Sequence, residues 1–203
     1  MIDVGIFGCS FTEHGFPSSW PKLLAEKNKN YCFWDHSAGS TSLLWSIQQM
    51  KEFKSYKPNS KVIFQITSPY RITNSIENSK QDRIRENYFK INKQYETVTP
   101  GKGNFGLTKR IEKLFDHIVL DFPREQWDTD YQILVDYIIK NTDFCFAHRD
   151  GLLLKDIELP IVENILGEKF SNYCEDYKND DYHFNYEGTQ WLADFVWKNF
   201  KWN

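Results

Sequence analysis

Apolar positions recur along the chain with two different periods. The run Ile2-Asp3-Val4-Gly5-Ile6-Phe7 stops at Gly8, and Tyr31–Trp34, Val62–Thr67 and Phe144–His148 are further short apolar runs bounded by turn formers. Short runs of this kind predict buried strands at 2–7, 31–34, 62–67 and 144–148. Between them the spacing is helical. Trp20, Leu23, Leu24 and Ala25 predict a short helix over Trp20–Lys27, opened by Ser18 or Ser19 as cap with Pro21 in its first turn. Leu43 to Phe53 carries an apolar face, and Lys57-Pro58-Asn59-Ser60 reads as the turn after it. Helical spacing returns over 107–120 (Ile111, Leu114, Phe115, Ile118), over 127–140 (Tyr131, Leu134, Val135, Ile138) and at 160–166. A last helix begins at Glu187, its stripe being Trp191, Leu192, Phe195, Val196 and Phe200.

Strands that alternate with helices predict an α/β protein, a three-layer α/β/α sandwich around a mostly parallel sheet covered on both faces. Right-handed crossovers put the carboxyl ends of all such strands on one side. Ser10, Gly39, the stretch Ser68–Arg71 and Asp150 are then expected on one rim. Residues 72–106 are polar and hold Gly101, Gly103 and Gly106 near their end. They are expected to form an insertion, partly helical around Asp82–Lys90, that covers the site.

The 203 residues suit a single domain spanning 1–203. The formal charge is −3 and no basic run occurs, which argues against nucleic acid as a partner. Cys9, Cys32, Cys145 and Cys174 have no CxxC spacing, and buried free thiols are the favoured reading. Met1 leads straight into the first strand without a basic leader, and no apolar run approaches the ~20 residues of a membrane span. A cytoplasmic protein with no membrane partner is therefore expected.

The chemistry lies at the two ends. Gly8-Cys9-Ser10 places a serine just past the first strand, where open α/β sheets carry their sites. A serine hydroxyl needs a base within reach, and the base needs an orienting carboxylate. Asp180-Asp181-Tyr182-His183, just before the last helix, supplies both. In this reading His183 takes the proton of Ser10 and Asp180 holds the other ring nitrogen; Asp181 is the alternative carboxylate. The amides of Ser10 and Gly39 are candidate oxyanion donors, with Arg71 or the hydroxyls of Thr67 and Ser68 as a third. Each residue also has a structural reading: Ser10 as a turn residue, His183 as a surface histidine, Gly39 as a helix-entry glycine, Arg71 as a salt-bridged surface group. His148 with Asp150 is the rival dyad. His14, His36 and His148 lack metal-ligand spacing, so no metal site is expected.

These residues resemble the SGNH or GDSL hydrolases. Gly8-Cys9-Ser10-Phe11-Thr12 is similar to the block that carries the family's nucleophile. Ser37-Ala38-Gly39-Ser40 is similar to the second block, whose glycine donates to the oxyanion hole. Asp180-Asp181-Tyr182-His183 matches the Asp-x-x-His block, with Asn185, Gly188 and Ala193 behind it. The resemblance implies a flavodoxin-like sandwich over the whole chain and a serine esterase or O-deacetylase. It implies a small-molecule or carbohydrate ester as substrate and no cofactor. Two departures stand out. Cys9 occupies a position often held by Asp, and after the third strand Thr67-Ser68-Pro69-Tyr70-Arg71 replaces Gly-x-Asn-Asp. Arg71 then either replaces the missing donor by charge or binds an anionic group of the substrate. Divergent phage-encoded members are similar here, so a phage origin is a further expectation. The altered third block also motivates a non-catalytic binding module, and an acyltransferase would share the same triad.

Overall fold

The structure is a computed structural model that describes residues 1–13, 19–66, 72–75, 80–92, 95–98, 124–149, 157–179 and 181–202. Its centre is β1 (Ile2–Phe7), flanked on one side by β2 (Tyr31–Asp35) and on the other by β3 (Lys61–Ile66), with β8 (Phe144–Ala147) beyond β3. All of these neighbours pair in parallel. The expected strands at 2–7, 31–34, 62–67 and 144–148 thus form within a residue of their expected bounds. A chain that winds from β1 to β2 and then crosses back to β3 reverses direction at the β1/β3 crevice, the switch point of a flavodoxin-like sheet.

Alternation along the strands divides the core in two. Val4, Ile6, Tyr31, Phe33, Ile63 and Phe146 face one layer, with Trp20, Leu24, Leu192 and Val196 of the covering helices α2 (Trp20–Lys27) and α7 (Tyr186–Asn199). Phe7, Val62, Phe64 and Ile66 face the other, against Leu43, Ile47, Met50 and Phe53 of α3 (Leu43–Tyr56) and Val135 and Ile138 of α4 (Arg124–Asn141). The stripes read from the sequence are these buried faces; the Trp191–Phe200 stripe is core packing. Ser42 caps α3 by accepting from the Trp45 amide at 3.2 Å. The helix expected over 107–120 lies outside the described residues.

The region 72–106 departs from expectation. Lys80–Arg85 and Tyr88–Asn92 are strands, β5 and β6, rather than the expected helix over Asp82–Lys90. β6 adds in parallel to the free edge of β2 and β5 closes the hairpin, so these residues extend the main sheet. Tertiary contacts override the local pattern. Phe89 stacks on Trp34 at 4.5 Å between centroids, and the buried turn residue Asn87 donates from Nδ2 to the carbonyls of Ala25, Asn28 and Tyr31 at 3.0–3.1 Å. A second ribbon, β4 (Ile72–Ser75) antiparallel to β7 (Tyr95–Val98), packs on α3, where the Thr73 hydroxyl accepts from the Ser42 amide at 2.8 Å.

The four cysteines are free thiols, Cys9 and Cys174 buried and the other two half-buried. No described helix is long and apolar enough to cross a membrane.

Candidate active site

The turn out of β1 is set by contact. A Cβ on Gly8 would lie 2.0 Å from Thr12 Oγ1 and 3.2 Å from Gln65 Cβ, so only glycine lets the next turn fold back this closely. That turn is α1 (Ser10–Glu13), and it begins with the half-buried Ser10. Thr12, fully buried, donates from Oγ1 to Gln65 Oε1 at 2.6 Å, and the Trp20 indole N–H donates to the same oxygen at 3.3 Å. One buried amide of β3 therefore ties α1 and α2 across the switch crevice, with Ser10 at its mouth.

The loop after β2 is held from below. Asp35, 1% exposed, accepts through Oδ1 from the Ser37 amide and hydroxyl, and through Oδ2 from the Tyr88 hydroxyl at 2.6 Å and Lys90 Nζ at 3.3 Å. Lys90 also donates to the Ser37 carbonyl. The loop is laced to the end of β1 by the His36 amide on the Ile6 carbonyl at 2.8 Å and the Ala38 amide on the Gly8 carbonyl at 3.3 Å. Thr41 Oγ1 donates to the Ala38 carbonyl at 2.8 Å, and Ser40 takes a left-handed φ of 59°. Gly39 thus sits in a restrained turn between Ala38 and Ser40, next to the backbone that carries Gly8.

His183 arrives on a third element. β9 (Cys174–Asp176) and β10 (Asp181–Phe184) form a small antiparallel ribbon. Phe184 is buried in the core beside Leu192 and Phe170. Asn185 then caps α7: its Oδ1 accepts from the Gly188 amide at 2.9 Å, and its own amide donates to the Tyr173 carbonyl at 2.8 Å. With Phe184 and Asn185 fixed, His183 is half-buried against α1, its ring centroid 4.6 Å from that of Phe11, the residue after Ser10. Arg149, just past β8, lies with its guanidinium 3.6 Å from the Tyr182 ring centroid and its Nε 3.5 Å from Glu163 Oε1.

Of the residues expected at the site, Ser10, Gly39 and His183 are described and stand on three segments at the carboxyl end of the sheet. Asp180 and Arg71 lie outside the described residues, as do Thr67, Ser68, His14 and Asp150. The side chain of Asp181, which opens β10, does as well. Of the rival dyad, His148 is described and lies turned into the fold. It is 3% exposed and its Nε2 lies 2.7 Å from the Tyr182 carbonyl oxygen, so the ring faces inward. Burial lowers its pKa to about 3, and it stays neutral at physiological pH. His36 is buried on the opposite face of the sheet, stacked on Phe7 at 5.1 Å. Among the described residues no cluster of His, Cys, Asp and Glu is arranged to hold a metal. Sequence reading missed Asp35, Lys90 and Phe11. A charged residue ending an apolar strand was the available signal for Asp35; Lys90 had none, because it reaches the loop only through the hairpin.

The sheet order and the two helical layers make a flavodoxin-like three-layer α/β/α sandwich with the loops at its strand ends on one side. No family model matches the sequence, and no curated protein is similar to it in sequence. Solved structures are similar in fold. TesA is 8% identical with a TM-score of 0.50, covering 97% of this chain and 96% of its own. The acetyl xylan esterase AlAXEase is 13% identical with a TM-score of 0.50, covering 97% and 98% respectively.

Replacing Lys90 by Met leaves the Asp35 carboxylate buried without its cation. Breaking such a pair is expected to cost roughly 3 kcal/mol of unfolding free energy in chemical denaturation, part of it recovered in the Asp35→Asn/Lys90→Met double variant. His148 gives a pH signature. The unfolded chain protonates this histidine below its ordinary value of 6.5 while the folded chain does not until about 3. Stability is therefore lost as pH falls from 6.5 toward 3. Relative to His148→Gln, the wild type is expected to lose on the order of 2 kcal/mol more between pH 7 and pH 5.

Proposed function

We propose that the protein is a serine ester hydrolase in which Ser10 is the nucleophile and His183 the base. The observation that supports this most is the packing of His183 against Phe11, which brings the histidine of the Asp-x-x-His block to the turn that carries the serine. The SGNH-hydrolase fold and the acetyl xylan esterase of similar fold support ester chemistry, with a carbohydrate or other small-molecule ester as substrate.

In this reading Ser10 Oγ attacks the acyl carbon while His183 removes its proton. The carbonyl π electrons move onto oxygen, and the amides of Ser10 and Gly39 donate to the oxyanion, with Arg71 as a third donor. Collapse of the tetrahedral species breaks the bond to the alkoxy group, which leaves as an alcohol with the proton from His183. Water then attacks the acyl-enzyme by the same route and releases the acid. Asp180 accepts from His183 and stabilises the imidazolium. The site needs no cofactor, and one domain spanning 1–203 carries it. Gly39 suits its role because the Asp35–Ser37–Lys90 network fixes its loop before any charge develops, which is what makes oxyanion donors effective.

A fluorophosphonate probe is expected to add once to the wild type, at Ser10 by peptide mapping. The adduct should be absent in Ser10→Ala and at least ~10³-fold slower to form in His183→Ala, with turnover of short-chain aryl esters falling by a similar or larger factor. Full esterase activity in a folded Ser10→Ala variant would overturn the assignment. A folded wild type with neither adduct nor turnover would favour the binding module.

A further inference from the structure

We propose that His148 is a positioning residue for the Ser10–His183 pair, acting through the Phe11 ring and the carbonyl of Tyr182. The inference rests on the functional reading above.

His148 follows the last residue of β8, two strands from β1, yet its side chain touches the neighbours of both proposed catalytic groups. Its ring lies flat on Phe11, with centroids 4.2 Å apart and planes 11° apart, and Phe11 follows Ser10 in the chain. Its Nε2 is 2.7 Å from the carbonyl oxygen of Tyr182, which precedes His183. Phe11 in turn packs on His183 at 4.6 Å. These three contacts and the Tyr182–His183 peptide bond close a ring of interactions, Phe11–His148–Tyr182–His183–Phe11, to which Ser10 is joined through Phe11.

The tautomer follows from the partner. A carbonyl oxygen only accepts, so His148 Nε2 carries the proton and Nδ1 keeps its lone pair. Nδ1 is buried and has no hydrogen-bond partner among the described residues. A histidine at this depth leaves one ring nitrogen unsatisfied, a cost that an aliphatic or phenyl ring of similar volume would avoid. What those replacements lack is the N–H aimed at Tyr182. Further contacts hold the imidazole in place: Phe184 at 4.6 Å, Phe170 at 5.5 Å, and the backbone of β8 through the Glu163 amide on the His148 carbonyl at 3.1 Å. The groups beside it are thus mostly apolar, apart from His183 and Arg149, both of which disfavour a second positive charge. His148 is a neutral, fixed donor that sets the height of β10 over α1.

The test compares His148→Leu with His148→Gln, whose amide Nε2 can reach the Tyr182 carbonyl as the imidazole does. Phe11→Leu serves as an independent variant that keeps the donor and removes the aromatic contact. On a short-chain aryl ester, His148→Leu is expected to lower kcat by about 10–100-fold with KM within twofold, since small misplacements act on the chemical step. Fluorophosphonate labelling of Ser10 should slow by the same factor. His148→Gln should recover to within about fivefold of wild type, and Phe11→Leu should repeat the loss in kcat. A folded His148→Leu with wild-type kcat, or equal losses in Leu and Gln, would overturn the proposal. If His148→Leu fails to fold, wild-type kcat in folded Phe11→Leu would overturn it. The His183 ring resonances in heteronuclear NMR separate this proposal from the functional one. They should move in His148→Leu and return in His148→Gln whether or not any ester is turned over. Unmoved resonances sink the positioning role, while moved resonances in a wild type without turnover sink the hydrolase reading alone.

Discussion

A fully buried amide at the carboxyl end of β3 joins the parts of this molecule that matter for its site. Gln65 accepts from Thr12 and from Trp20, and so fastens the first turn after β1 and the first long helix to the neighbouring strand. A buried carbonyl oxygen is costly unless paired, so the two donors on the Gln65 oxygen tolerate little rearrangement. Gly8 follows from it: any side chain there would drive Thr12 away from Gln65. The position of Ser10 is therefore a consequence of packing inside the switch crevice and not of a free loop.

The same logic holds for the other two segments of the candidate site. The Gly39 loop rests on a buried carboxylate with four donors, one of them a lysine from a hairpin fifty-odd residues later. A buried ion pair is weak support for stability as such. Its value here is directional, since Lys90 also holds the Ser37 carbonyl and so fixes which way the loop turns. The His183 segment rests on Phe184, Asn185 and the imidazole of His148, a mixture of burial, capping and one aimed N–H. Three segments far apart in sequence are each tied to the sheet by a different buried polar group.

Much of this was legible in the order of residues. Strands buried on both faces read as apolar runs, and β1, β2, β3 and β8 form where those runs lie; the helical stripes at Trp20, Leu43, Tyr131 and Trp191 are the faces that cover them. The glycine-serine turn and the histidine near the far end were legible as candidate chemistry, and the fold packs His183 on Phe11, the residue after Ser10. The β5–β6 hairpin was not legible. Tyr88-Phe89-Lys90-Ile91-Asn92 is a short apolar stretch inside a polar region, and what pairs it into the sheet is the open edge of β2 and the stack on Trp34. The burial of His148 was not legible for a related reason. The end of a strand says where a backbone points but not whether the next ring turns outward or, as here, under its neighbours Phe11 and Phe184.

The central claim is that Ser10 and His183 meet in a site lined by the Ser10 and Gly39 amides. The crystal structure of the protein after reaction with a fluorophosphonate tests it most directly. The account predicts a phosphorus bonded to Ser10 Oγ, a phosphoryl oxygen within about 3 Å of both amides, and a His183 ring nitrogen within hydrogen-bond distance of the adduct. An adduct on another residue, or one on Ser10 with His183 turned away and the Gly39 amide pointing elsewhere, would contradict it.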